Sequence, residues 1–199
     1  MKSRHPGTLR IALVAAVPVA LITYWLVANS RAMTRSPRYR LVRKEGDIEV
    51  RDYPHLTVVS APMGGSGMDG SFRKLFRYIT GGNEQAEKIA MTTPVLIEAE
   101  NEGRRMAFIL PENVPVQGIP RPTDDSVSVA ERKAERLAVM RFHGGRSSVN
   151  EAEAIGTLRK WLDARHVATQ GEPVVAYYDP PWTPVFLRRN EVMIPVRGL

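Results

Sequence analysis

The sequence predicts an α+β domain in which two β-β-α-β-β units pair into one antiparallel sheet and pack their helices outside it. Three observations carry this. The strand-like segments alternate apolar and polar residues, as antiparallel strands with one covered face do. Two segments show helical periodicity, and each is flanked by strand signals. The element order of the first half then recurs in the second, down to similar closing strands, Arg104-Arg-Met-Ala-Phe-Ile-Leu-Pro111 and Arg188-Arg-Asn-Glu-Val-Met-Ile-Pro195.

Taken in order, Tyr39–Lys44 and Ile48–Tyr53 read as a hairpin about the turn Glu45-Gly-Asp47, and Leu56–Ala61 as a strand after the break at Pro54. In Ser71–Gly82, Phe72, Leu75, Phe76 and Ile79 fall at i, i+3, i+4 and i+7. Ser71 can cap this helix, and Gly81-Gly82 can close it in a left-handed conformation. Ile89–Glu98 and Met106–Leu110 are the next strands. The second unit runs through Val127–Val129, Leu137–Phe142, a helix over Ser148–His166 with Ile155, Leu158 and Leu162 on one face, Val174–Tyr178 and Glu191–Val196. Glu151 near the start of that helix and Arg165 near its end suit the helix dipole.

The net charge of +7 looks at first like a nucleic-acid signal. It belongs to the N-terminus. Residues 1–38 hold Lys2, Arg4, Arg10, Arg31, Arg35 and Arg38 and no acid, whereas 39–199 carries 22 basic against 21 acidic side chains. A near-neutral domain has no footprint for a phosphate backbone, so no nucleic-acid partner is expected. Zero cysteines exclude disulfides, thiolate nucleophiles and covalent haem attachment. Ile11–Ala28 is an uncharged run of 18 residues, long enough to span roughly 27 Å as a helix. Residues 1–28 are therefore expected to form a hydrophobic helix acting as a signal anchor, or else a cleaved signal peptide, and 29–38 a linker. The domain 39–199 is then exported, anchored in the cytoplasmic membrane through residues 11–28, or secreted after cleavage.

Motifs for catalysis are missing from the sequence. Gly65-Ser-Gly-Met-Asp-Gly70 fits G-x-G-x-x-G, but a dinucleotide fold needs parallel strands and a longer helix. His5, His55, His143 and His166 are not at metal-ligand spacing. Met68 stands in the glycine-rich loop, where an apolar side chain has no core duty, and is a candidate ligand contact. Trp182 is held among Pro180, Pro181 and Pro184, which would present its indole at low entropic cost. Plugging the end of the fold is the other use of such a residue.

Five blocks, in order, resemble the SOUL haem-binding family: Ile48–Tyr53, Ser71–Asn83, Lys88–Val95, Met106–Pro111 and Pro180–Val192. The resemblance implies a distorted antiparallel β-barrel built from two ββαββ pseudo-repeats with two flanking helices. It also implies reversible, non-covalent binding of haem or a related tetrapyrrole, as a carrier or buffer and not as an enzyme. The ligand surface it implies lies along the first helix and the Pro-Pro-Trp loop. On this chain those are Phe72, Leu75, Phe76 and Ile79, joined by Met68 and Trp182, with Arg73, Lys74 and Arg77 placed to meet propionates. The same apolar stripe must also pack the helix on its sheet. The iron ligand is left open among His55, His143 and Met68. Two other uses of such a groove are an effector or protein-binding module and a small-substrate hydrolase.

Overall fold

The computed structural model describes residues 34–64, 67–100, 103–112 and 118–198. The predicted anchor 1–28 and residues 29–33 of the linker lie outside them. Among the described residues no helix is long and apolar enough to cross a membrane.

In chain order the elements are β1 (Arg40–Glu45), β2 (Ile48–Tyr53), β3 (Leu56–Pro62), α1 (Gly67–Ile79), β4 (Val95–Glu100) and β5 (Gly103–Ile109). There follow β6 (Ser128–Arg132), β7 (Glu135–Phe142), α2 (Ser148–Asp163), β8 (Ala168–Thr169), β9 (Val174–Tyr177) and β10 (Asn190–Arg197). A single 3-10 turn, Val185–Leu187, interrupts the connection between β9 and β10.

The strands form one sheet in the order β1-β2-β7-β10-β9-β4-β5-β3-β6, with β8 added on β10. This order bears out the repeat. The units are β2-β3-α1-β4-β5 and β6-β7-α2-β9-β10, and they meet at β4 and β9, where Val95 lies opposite Tyr177. Each unit gives its first strand to the other: β2 pairs with β7, and β6 with β3.

The sheet does not close into the expected barrel. A strand has two hydrogen-bonding edges, and β7 uses both of its own on β2 and β10. Its hairpin neighbour β6 must therefore pair with β3, and β1 and β6 remain as edges. On the edge strand β6, Arg132 pairs with Glu98 of β4 and with Glu135 of β7.

On the helix-bearing face, Leu75, Tyr78 and Ile79 of α1 are buried with Val59, Met106 and Phe108, while Ala154, Leu158 and Leu162 of α2 are buried with Val192 and Ile194. The opposite face is filled by Val58, Leu96, Ala107, Val139 and Met193. All three clusters lie between residues 48 and 196, so the unit 35–199 holds its own core without residues 1–34.

That opposite face also buries charge. Arg51 is 1% and Glu191 0% exposed. They pair bidentately at 2.8 and 3.0 Å, while Glu49, Tyr53, Tyr178 and Arg189 complete the network. Burial by itself raises the Glu191 carboxyl, but Arg51, Arg189 and Tyr178 hold it below the ordinary carboxylate value. Each partner covers a charge the other could not leave bare.

Helix α1 begins four residues earlier than predicted. Ser71 does not cap it; its hydroxyl lies inside the helix and donates to the carbonyls of Pro62 and Gly67 at 2.8 and 3.3 Å. Gly67 to Gly70 of the glycine-rich stretch are therefore helical. The C-terminus is closed as expected. Gly81 has φ +109°, and the Gly82 N–H donates to the Arg77 carbonyl at 2.8 Å, an approach that leaves no room for a Cβ. Ile89–Glu98 also differs from expectation, because the strand starts only at Val95, after Pro94.

Candidate ligand-binding site

Helix α1 divides its apolar stripe between two tasks. Leu75 and Ile79 are buried in the core, beside Tyr78, whose hydroxyl donates to the Pro120 carbonyl at 2.8 Å. Phe72 and Phe76 lie on the flank of the helix. Their rings stack 5.9 Å apart, and Phe72 meets Phe108 edge-on at 5.3 Å. Phe72 is half-buried, whereas Phe76 remains 46% exposed. Met68 sits in the first turn of the helix, not in a free loop, and packs partly buried against the core.

Of the cations of α1, Lys74 turns away from this flank. Lys74 donates to the Ser126 hydroxyl at 2.8 Å, and with Arg77 it helps hold the Asp124 carboxyl low, after the hydrogen bonds from Ser126. At 100° per residue Lys74 lies about 160° around the helix from Phe76. Arg73 and Arg77 are exposed.

The Pro-Pro-Trp loop, residues 178–189, leaves β9 and returns to β10. Its conformation is set by its own hydrogen bonds. The Thr183 N–H donates to Pro180 at 3.1 Å and the Leu187 N–H to Pro184 at 2.9 Å, while Arg188 reaches the carbonyls of Pro181 and Thr183. The Asp179 carboxylate accepts the Arg189 N–H at 2.6 Å. Trp182 is thus presented outward, 82% exposed, and does not plug the end of the sheet.

Arg146, in the connection between β7 and α2, ties this loop to α1. Its guanidinium donates to the Asp179 carbonyl at 2.8 Å, lies 3.8 Å from the Met68 sulfur and sits 4.9 Å over the Tyr177 ring. Its Nε is buried and has no hydrogen-bond partner among the described residues. Burial pulls the Arg146 pKa below the ordinary value, opposed by the Tyr177 hydroxyl. The Tyr177 hydroxyl is itself pushed up by burial and by its hydrogen bond to Glu151. A half-buried cation with an unused N–H is suited to an anion.

Of the three candidate iron ligands, two lie beside this loop. The His143 Nδ1 is 3.0 Å from the Arg188 carbonyl. A carbonyl can only accept, so Nδ1 carries the proton and the Nε2 lone pair is left to bind. Met68 is engaged by Arg146, and His55 is exposed in the turn between β2 and β3. Sequence reasoning missed Arg146 as a candidate site residue. Within Phe142-His-Gly-Gly-Arg-Ser it reads as one more loop cation, and only its burial sets it apart.

A cavity of about 530 Å³ opens elsewhere, between Arg35–Arg38 and Ile109–Glu112. Its walls carry no aromatic side chain and no histidine, so the flank of α1 remains the better seat for a flat aromatic ligand.

Comparison with known proteins agrees with this picture. Heme-binding protein 1 of Xenopus tropicalis is 28% identical over 154 residues, covering 72% of this chain and 80% of that protein. Heme-binding protein 1 of Xenopus laevis is 26% identical over the same length and coverage. Among solved structures, the EcmrR C-terminal domain superposes with a TM-score of 0.53 at 14% identity, over 81% of this chain and 99% of that one. The crystal structure of a hydrolase from Listeria innocua superposes with a TM-score of 0.52 at 10% identity, over 82% and 93%. These two likenesses are of fold alone. Residues 34–195 match the SOUL heme-binding protein family, the same stretch that holds the repeated sheet, the split helix stripe and the Pro-Pro-Trp loop, and the chain belongs to that family.

Proposed function

We propose that residues 39–199 bind haem or a related tetrapyrrole reversibly and non-covalently, as a carrier or buffer that does no chemistry on its ligand. The observation that carries this reading is Arg146. A half-buried guanidinium with an unpaired Nε–H, held against Met68 of α1, the Tyr177 ring and the Asp179 carbonyl of the tryptophan loop, matches a ligand that is apolar over its face and anionic at its edge. Phe72 and Phe76 offer the apolar wall, and Arg146 the propionate partner, with the exposed Arg73 and Arg77 on the same helix. Trp182 lies on the same rigid loop. His143 is the iron ligand this arrangement favours, because its Nε2 is free and its ring is oriented by the Arg188 carbonyl. Membership of the family and the likeness to Heme-binding protein 1 support the same ligand.

The test is hemin titration of residues 35–199, followed in the Soret band with apomyoglobin as competitor. A saturable one-to-one complex, with a band that changes in His143→Ala, is the expected result. Unsaturable binding that apomyoglobin strips at once would mean that hemin only adheres to apolar surface.

A further inference from the structure

Three apolar side chains of the Pro-Pro-Trp loop exceed what a soluble surface calls for. Trp182 is 82%, Phe186 76% and Val185 50% exposed, all within five residues of one rigid turn. Hydrogen bonds from Thr183, Leu187 and Arg188 hold that turn, so collapse onto the domain would break them. Exposed aromatics of this kind mark a contact with something apolar.

Arg35 lies toward the same end of the sheet. Arg35 pairs with Thr92, and its carbonyl accepts the Thr93 N–H at 2.9 Å. Thr93 lies two residues before Val95, and Val95 is opposite Tyr177, from which the loop departs. Arg35 and the loop therefore lie at one end of the β4–β9 pair. Arg35 and Arg38, both exposed, add positive charge there beside one acid, Glu112, whose carboxylate accepts the Arg38 N–H at 3.1 Å. Arg35 follows the apolar run Ile11–Ala28 by only six residues.

We propose that this end of the domain docks on an anionic lipid bilayer, with Trp182, Val185 and Phe186 seated among the headgroups and Arg35 and Arg38 against their phosphates. Aromatic side chains favour that interfacial depth, and basic residues near the surface are drawn to anionic lipid. A second copy of the chain fits less well. Three such side chains offer roughly 500 Å², short of the about 800 Å² per partner that a stable interface buries. This contact is separate from residues 11–28 and does not rest on haem binding, although it would let an apolar ligand pass between bilayer and site.

Residues 35–199, which lack the apolar run, are floated without hemin on vesicles of phosphatidylcholine containing phosphatidylglycerol. Flotation is expected, weaker on phosphatidylcholine alone. Trp182→Ala and Phe186→Ala should each lower the partition coefficient about tenfold or more. Circular dichroism confirms that both variants fold, since neither side chain is in the core. No flotation of the unaltered domain, or flotation undiminished in the double variant, overturns the proposal. So does self-association lost in the double variant without vesicle binding. A failed hemin titration alongside successful flotation would sink the haem reading and leave this one standing.

Discussion

Replacing Arg146 by methionine separates a binding residue from a structural one. In the empty domain the guanidinium makes one good hydrogen bond, to the Asp179 carbonyl at 2.8 Å, and a cation–π contact 4.9 Å from the Tyr177 centroid. Losing these costs about 1.5–3 kcal/mol for a bond to a charged group and about 0.5–2 kcal/mol for the ring contact. Against this stands relief of a buried N–H without a partner, about 1–3 kcal/mol, and of a half-desolvated charge. Methionine keeps apolar contact with Met68 and Tyr177. The two sides nearly cancel, so Arg146→Met should change stability by less than about 2 kcal/mol in either direction. For a unit of this size that is under about 8 °C in Tm. Hemin affinity should fall much further, by about 10–100-fold, if one charge-assisted bond to a propionate is lost. Thermal unfolding by circular dichroism and hemin titration of the same protein check both halves. A fall in Tm well beyond 8 °C would make Arg146 a clamp between α1 and the loop. Unchanged hemin affinity at unchanged stability would remove it from the site.

Two further outcomes follow from the buried groups. Glu191→Ala leaves Arg51 buried with its bidentate partner gone, and should cost about 3–5 kcal/mol in urea unfolding, whereas replacing both by leucine should be close to neutral. Despite burial that raises them, Glu191 is held below its ordinary value by Arg51 and Arg189 and Glu49 by Lys44 and Arg51, and Asp52 is drawn to about 2 by the Arg136 and Arg40 guanidiniums. Their stabilisation is complete above the unfolded pKa of about 4 and is lost as pH falls through the folded values. Acid unfolding should therefore steepen below about pH 4 and weaken in Glu191→Ala. On α1, Leu75→Ala should cost about 2–5 kcal/mol and Phe76→Ala less than about 1 kcal/mol. Equal costs would contradict the division of the helix stripe.

The order of elements was legible because its signals are local. Alternation in Ile48–Tyr53, the i, i+3, i+4 stripe of α1 and the double glycine after it report backbone periods and conformations that hold wherever the segment ends up. Even the repeat was visible, since β5 and β10 keep similar sequences at equivalent positions. Closure of the sheet was not legible. It depends on which edge of β7 is already taken, and only the assembled partners decide that.

Within the site the sequence by itself determined that an amphipathic helix and a proline-stiffened tryptophan loop exist, and that no cysteine takes part. Tertiary structure decided the rest. It assigned Leu75 and Ile79 to the core and Phe76 to solvent, because a stripe four residues wide is broader than the contact α1 makes with the sheet. It turned Lys74 toward Ser126 and brought Arg146 from a polar loop under the tryptophan loop. Side-chain direction around a helix and the burial of a loop cation are set by what packs against them, and those neighbours lie more than thirty residues away along the chain.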